Sequence, residues 1–179
     1  MKTPEHPIFL ESVNYIRSKI AFTGFDQVQQ SILERIIHSS GDFSLQSSVK
    51  FSPSACEAAI NALQNGAKIL TDTYMAKAAI SPMAKRTINS DIQCILAMAP
   101  TSIDSNVTTR SAIGMTNLWL EFEEKDNFLN APLVVIGSSP TALIALLDLV
   151  EAGYKTPSLI IGMPVGFIGV NESKTRLLN

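Results

Sequence analysis

Residues 131–172, APLVVIGSSPTALIALLDLVEAGYKTPSLIIGMPVGFIGVNE, restrict the fold more than any other part of the chain. Leu133 to Ile136 is an unbroken apolar run closed by Gly137, the pattern of a strand buried on both faces. Ser139 stands where an N-cap belongs, and Pro140 takes the first helical position, where its missing N–H costs nothing. Leu143, Leu146, Leu147 and Val150 then recur at helical spacing, and Gly153 supplies the stop. Leu159 to Ile161 makes a second buried strand that runs into the loop Gly162–Gly169. Strand, helix and strand of these lengths predict a right-handed βαβ unit with parallel strands. Ligands of open parallel sheets sit beyond the carboxyl ends of the strands, so Gly137–Thr141 and Met163–Gly169 are expected to line one crevice.

The rest of the chain extends this unit. His6 to Ile20 is expected to start extended at Pro7 and turn helical, with Phe9, Val13 and Ile16 or Ile20 inward. Asp26 to His38 reads as an amphipathic helix with Val28, Ile32 and Ile36 on one face, widened by Leu33 and Ile37. Phe43 to Phe51 fits either a short strand or a loop. Ser52-Pro53 repeats the Ser139-Pro140 device and predicts a helix that Gly66 ends, with Ala59, Ile60 and Leu63 on its core face. A strand over Ala67–Thr71, a short helix over Thr73–Ala79, a turn at Ser81-Pro82 and a strand over Asp91–Ala97 follow. Ser105 to Phe122 reads as a long helix and Glu121–Asp126 as a solvated loop. Four strands alternating with helices predict a three-layer α/β/α sandwich around a mostly parallel sheet. A helix is expected near Asn171. A fifth strand, which would ordinarily follow, is either missing or supplied by the N-terminal segment.

The 179 residues favour one domain spanning 1–179. A formal net charge of −2 gives no general attraction to nucleic acid or anionic lipid. The N-terminus lacks the apolar core of a signal peptide, and no apolar run approaches ~18 residues, so a membrane span is not expected. Cys56 and Cys94 lie far apart and outside any CxxC pair, which suits two buried free thiols in a reducing cytoplasm. Two histidines, His6 and His38, exclude a histidine-rich zinc site.

Few residues are placed for chemistry. His38 closes a helix, where a protonated imidazole is favoured, and imidazole titrates near neutrality as a general acid should. Its position alone fits a capping role at least as well. Arg110, in Thr108-Thr109-Arg110-Ser111, is a lone arginine among small polar residues and suits a carboxylate or phosphate clamp, with an ordinary surface arginine as the alternative. The loop Gly162–Gly169 is glycine-rich, but Pro164 interrupts it and its spacing is not G-x-G-x-x-G. The helix start at Ser138–Thr141 offers N–H groups to an anion. Asp72 is either a polar group at the crevice or the cap of the next helix. Lys77, Lys85 and Arg86 read as a solvated basic face. No P-loop, nucleophile elbow or HExxH motif is present.

Taken in order, several stretches resemble the precorrin-8X methylmutase family of cobalamin biosynthesis. They are HPIFLES, Arg35-Ile36-Ile37-His38-Ser39, Phe51-Ser52-Pro53, Ile69-Leu70-Thr71-Asp72, Thr109-Arg110-Ser111-Ala112, the segment from Val135 to Leu143, and the segment from Ile161 to Gly169 with Glu172-Ser173-Lys174. The resemblance spans nearly the whole chain. It implies a flavodoxin-like sandwich, usually a homodimer, and an isomerase that moves a methyl group from C-11 to C-12 of precorrin-8X or cobalt-precorrin-8 without a cofactor or metal. It implies His38 as the catalytic acid and Arg110 as a substrate-binding residue. By the same similarity Ser12, Arg17, Asp72, Met75, Gly162, Met163, Pro164 and Gly166 lie along a tetrapyrrole substrate or its carboxylates. Two departures stand out: Ala79 replaces a common glycine, and the chain ends soon after Lys174, where a further strand and helix are expected of the family. The alternative readings are a tetrapyrrole-binding relative without turnover and a flavodoxin-like nucleotide or phosphate binder.

Overall fold

The structure is a computed structural model that describes residues 6–102, 108–124 and 131–179. The chain forms two compact units, the first ending at Cys56 and the second beginning at Glu57.

The first unit is a helical hairpin. Helix α1 (Pro7–Lys19) begins at Pro7 itself, because His6 caps it through Nδ1, which accepts from the Ile8 N–H at 3.2 Å. The expected extended start is therefore absent. Helix α2 (Gln27–Ser40) opens with a capping box: Asp26 accepts from the Val28 and Gln29 N–H groups, and the Gln29 side chain accepts from the Asp26 N–H. Gly41, at φ 69°, closes it in a left-handed turn. Phe9 meets His38, and Arg17 meets Glu34, so the two helices run antiparallel. The core-facing side of α2 is the widened edge of the expected face: Leu33 and Ile37 are buried, Ile32 and Ile36 half-buried and Val28 exposed. Glu34, between the two buried residues, is buried as well and paired with Arg17. Ile16, Leu33 and Ile37 form the core with Ile20, Phe25 and Val49 around them. Phe43–Ser47, left open between strand and loop, is a 3₁₀ turn capped by Asp42.

In the second unit four parallel strands, β1 (Ile69–Thr71), β2 (Ile92–Cys94), β3 (Leu133–Ile136) and β4 (Leu159–Gly162), lie in the order β2-β1-β3-β4. This is the flavodoxin-like order over its first four strands, with the switch point between β1 and β3. Side chains alternate between faces as strand geometry requires. Leu70, Val134 and Ile136 face helices α5 (Arg110–Glu124) and α6 (Pro140–Glu151), packing with Met115, Trp119, Leu143 and Leu146. Ile69, Ile92 and Val135 face helix α4 (Tyr74–Thr87) through Ile80 and Ala84, and Leu133 and Leu159 face helix α3 (Ala55–Gln64) through Ala59 and Leu63. Burying a large apolar side chain contributes roughly 1.5–3 kcal/mol. The α5–α6 face, where Trp119, Met115, Leu143 and Leu146 are all sealed, is thus the main source of cohesion. Helix α7 (Val170–Leu178) packs on α6 and is pinned there by Arg176, which donates to Asp148 and Glu151 at 2.8 Å each.

Several boundaries differ from expectation. Helix α3 starts at Ala55, because Pro53 and Ser54 form a turn with Ser54 at φ 57°. Helix α4 runs through Pro82 instead of ending before it. Its proline forfeits one backbone bond, and Ser81 Oγ donates to the Lys77 carbonyl on the turn so loosened. Strand β2 ends at Cys94 and a 3₁₀ turn occupies Ile95–Met98. Glu121–Glu124 are the last turn of α5 and not a loop; residues 105–107 and 125–126 of the expected helix and loop lie outside the described residues. Among the described residues there are four strands, and the N-terminal segment from Pro7 is helical, so it supplies no fifth.

Candidate active site

The carboxyl edge of the sheet is built around Asp72, the residue after β1. Its carboxylate is wholly buried, and Oδ2 accepts three backbone N–H groups, from Gly137 at 3.1 Å, Ser138 at 2.6 Å and Ser139 at 2.8 Å. These are the free donors ahead of α6, where the helix dipole adds to their pull on an anion. The N-cap of α4 is Thr73, whose Oγ1 accepts from Ala76 N–H. Asp72 therefore caps the turn before α6 and not the helix that follows it in sequence. The anion expected at Ser138–Thr141 is the protein's own carboxylate, which removes the ground for a phosphate site there.

Hydroxyl groups carry the network onward. Ser139 Oγ lies 3.3 Å from Thr141 Oγ1, which lies 2.7 Å from Thr109 Oγ1. Thr109 also accepts from the Ala112 N–H, so it caps α5 while being tied to the first turn of α6. Arg110 follows as the first residue of α5. It is exposed, and its Nε donates to the Pro100 carbonyl at 3.0 Å. Among the described residues no carboxylate pairs with it. Thr109 and Thr141 also border an open groove of about 690 Å³ between α5 and α6, lined further by Ala112, Thr116 and Ala145.

The loop after β4 completes this edge. Met163 N–H donates to the Ile136 carbonyl at 2.9 Å, and a Cβ on Gly169 would stand 3.7 Å from Pro140 Cβ, so the two expected loops lie side by side. Pro164 is buried, and Gly166 adopts φ 142°, a conformation that favours glycine. Met163, Val165, Phe167 and Ile168 are exposed, as is Met75 on the first turn of α4. An apolar loop thus projects from the carboxyl edge of the sheet.

The remaining expected residues belong to the first unit. His38 is exposed on the last turn of α2 and meets the ring of Phe9 edge-on, centroids 5.0 Å apart; the Arg35 guanidinium lies 4.8 Å from the same ring. Ser12, half-buried, donates to the Ile8 carbonyl. Arg17 is engaged internally: Nε donates to Glu34 Oε1 at 2.8 Å and Nη2 to Oε2 at 2.9 Å. The hydrogen bonds from Arg17 hold the Glu34 carboxyl below its ordinary range against the opposing effect of burial, and Gln30 assists. Ser12, Arg17 and His38 thus share one unit, and Asp72, Met75, Arg110 and the Gly162–Gly166 loop share the other.

Sequence reasoning missed Glu34, the Thr109–Thr141 pair and the exposed apolar tip of the loop. The first had a signal, a carboxylate set between the inward-facing Leu33 and Ile37. Cys94 is buried and Cys56 half-buried, both free, and burial together with the nearby Asp26 charge pushes the Cys56 thiol up, away from reactivity. Among the described residues no helix is long and apolar enough to cross a membrane, and no group of three or more His, Cys, Asp or Glu could hold a metal ion.

A family model described as precorrin-8X methylmutase matches residues 7–179. The chain is 34% identical to a cobalt-precorrin-8 methylmutase of Synechocystis sp., over 97% of this chain and 82% of the relative. It is 35% identical to a precorrin-8X methylmutase of Pseudomonas aeruginosa, over 95% of this chain and 79% of the relative. A solved precorrin-8x methyl mutase from Thermus thermophilus superposes with a TM-score of 0.80 at 31% identity, covering 96% of this chain and 80% of that one. The match takes in both loops of the carboxyl edge, Arg110 and His38, and the chain belongs to the precorrin-8X methylmutase family.

Proposed function

We propose that this chain is an isomerase of corrin biosynthesis that moves a methyl group from C-11 to C-12 of precorrin-8X or cobalt-precorrin-8. The observation that carries the reading is Arg110: an exposed guanidinium without a carboxylate partner among the described residues, at the carboxyl edge of a parallel sheet, in a chain of this family. A corrin precursor is a flat apolar ring edged with carboxylates. Arg110 offers a planar fork for a carboxylate. The exposed apolar loop around Phe167, with its backbone open at Gly166, suits the ring face; the bare side of Gly162 is covered by Leu177 of α7, so the close approach expected at that glycine serves the packing of α7.

In this reading His38 is the general acid. A methyl migrates from a carbon of the ring when the neighbouring system is electron-poor, and a protonated imidazole supplies the proton that makes it so. Ser12, Arg17, Met75, Met163 and Pro164 contribute to substrate binding, with Arg17 held in orientation by Glu34. Asp72 contributes from beneath, by holding the turn that faces the substrate. The active species is a cytoplasmic homodimer that works without a cofactor.

The test is turnover by the pure protein. Incubation with precorrin-8X, and separately with its cobalt form, should yield the methyl-shifted acid, seen as a change in absorbance and by chromatography. His38→Ala should bind the tetrapyrrole but lose turnover by at least about 100-fold. Equal turnover by that variant removes His38 from the reaction, and binding without turnover by the wild type selects the non-catalytic reading.

A further inference from the structure

The turn Gly137–Ser139 is an anion seat that the chain fills from within. Its three N–H groups converge on one oxygen, Asp72 Oδ2, at 2.6–3.1 Å, and they stand at the start of α6, a helix of 12 residues. Asp72 is wholly buried, and its second oxygen, Oδ1, has no hydrogen-bond partner among the described residues. Burying an oxygen without a partner is costly. Three N–H groups at a helix start, all aimed at the other oxygen, offset that cost.

We infer that Asp72 is a positioning residue that sets which anions the crevice accepts: by occupying the seat it denies the turn to phosphate, sulfate and ligand carboxylates. The seat lies at the switch point between β1 and β3, where a parallel sheet otherwise receives a ligand's phosphate. Anionic ligands are left to the guanidinium of Arg110, the residue after Thr109, whose hydroxyl joins those of Thr141 and Ser139 in a chain to the same turn. The inference does not depend on the methyl-shift reading, since it concerns the free protein.

The experiment is thermal melting of wild type, Asp72→Ala and Asp72→Asn in sodium chloride, sodium formate and sodium phosphate at matched ionic strength. Alanine empties the seat, and formate has the shape of the group removed. Asparagine refills it without charge. Asp72→Ala should melt lower than wild type by roughly 5–10 °C. Formate or inorganic phosphate should restore part of that loss in a saturable manner, while chloride does not. Wild type and Asp72→Asn should share whatever small general gain formate or phosphate gives, and Asp72→Asn should stay below wild type in all three. A merely structural aspartate would give no rescue of Asp72→Ala beyond that shared gain. The proposal is overturned if Asp72→Ala gains no more from formate or phosphate than wild type and Asp72→Asn do, or if Asp72→Asn melts with the wild type. Should Asp72→Ala fail to fold in chloride, refolding from urea separates the cases: recovery in formate alone supports the seat, and failure in both salts overturns it.

Discussion

Arg17 holds Glu34 by both of its arms, Nε on one carboxylate oxygen and Nη2 on the other. The acid is almost fully buried, with 3% of its side chain exposed, while the arginine is 58% exposed. Removing the acid's charge leaves the arginine able to hydrate, so Glu34→Gln should cost only about 1–3 kcal/mol near neutral pH. The folded-state pKa of Glu34 lies below its ordinary value of 4.5. The pair's stabilisation is therefore complete above about 4.5 and fades as pH falls through the depressed folded value. Urea midpoints measured from about pH 3 to pH 7 should show wild type and Glu34→Gln converging in acid. A constant gap across that range means that shape, not charge, holds α1 to α2.

Arg110 is predicted to act on affinity and not on folding. Among the described residues its contact is one hydrogen bond to the Pro100 carbonyl on an exposed surface. Arg110→Lys keeps the charge but loses the planar fork, so kcat/KM should fall roughly 10–100-fold, mainly through KM. The melting temperature should move by less than about 2 °C. An unchanged KM would falsify the carboxylate clamp.

What could be read in the sequence follows the range of the interaction involved. Strands β3 and β4 and helix α6 were legible because unbroken apolar runs, a Ser-Pro start and a glycine stop act over a few residues, but β4, expected to be buried, is an edge strand of half-buried residues with Ile161 exposed. The same Ser-Pro pair at Ser52-Pro53 misled, since Ser54 at φ 57° makes a turn there and the helix waits until Ala55. Pro82 misled in the opposite sense, because one lost backbone bond did not outweigh the packing of Ile80 and Ala84 against the sheet. Asp72 could not be assigned at all. Its partners lie 65 to 67 residues away, and only the parallel pairing of β1 with β3 brings them together. Glu34 fell between: its place among apolar neighbours was visible, but its partner Arg17 sits on another helix.

Phe167 and Ile168 are 102% and 89% exposed, which leaves the fold nothing to lose at either position. Solvated aromatic surface at the tip of the loop proposed to bind substrate would gain its value only when a ligand covers it. Phe167→Ser should leave the melting temperature within about 2 °C of wild type. Substrate affinity should fall several-fold, as expected for an apolar ring that loses one wall, which fluorescence or absorbance titration with the tetrapyrrole would read. A variant that binds as tightly as wild type puts the ring face elsewhere.

Two glycines should differ in what a methyl group costs them. At Gly114 in α5 an added Cβ would overlap the backbone carbonyl oxygen of Ile95 and stand 3.3 Å from Ala99 Cβ. Backbone cannot step aside, so α5 must move off the turn at Ile95–Met98, which exceeds the gain in helix propensity; Gly114→Ala should cost roughly 2–4 kcal/mol. At Gly162 the obstacle is the terminal methyl of Leu177, the flexible end of a side chain on α7. A change of rotamer relieves it, so Gly162→Ala should cost only about 0.5–1.5 kcal/mol. Arg176 should keep α7 in place through Asp148 and Glu151 while Leu177 adjusts. Chemical denaturation of the two variants side by side gives the order directly. Equal losses, or a larger loss at Gly162, would mean that α7 is seated more rigidly than α5, contrary to the contacts that surround each glycine.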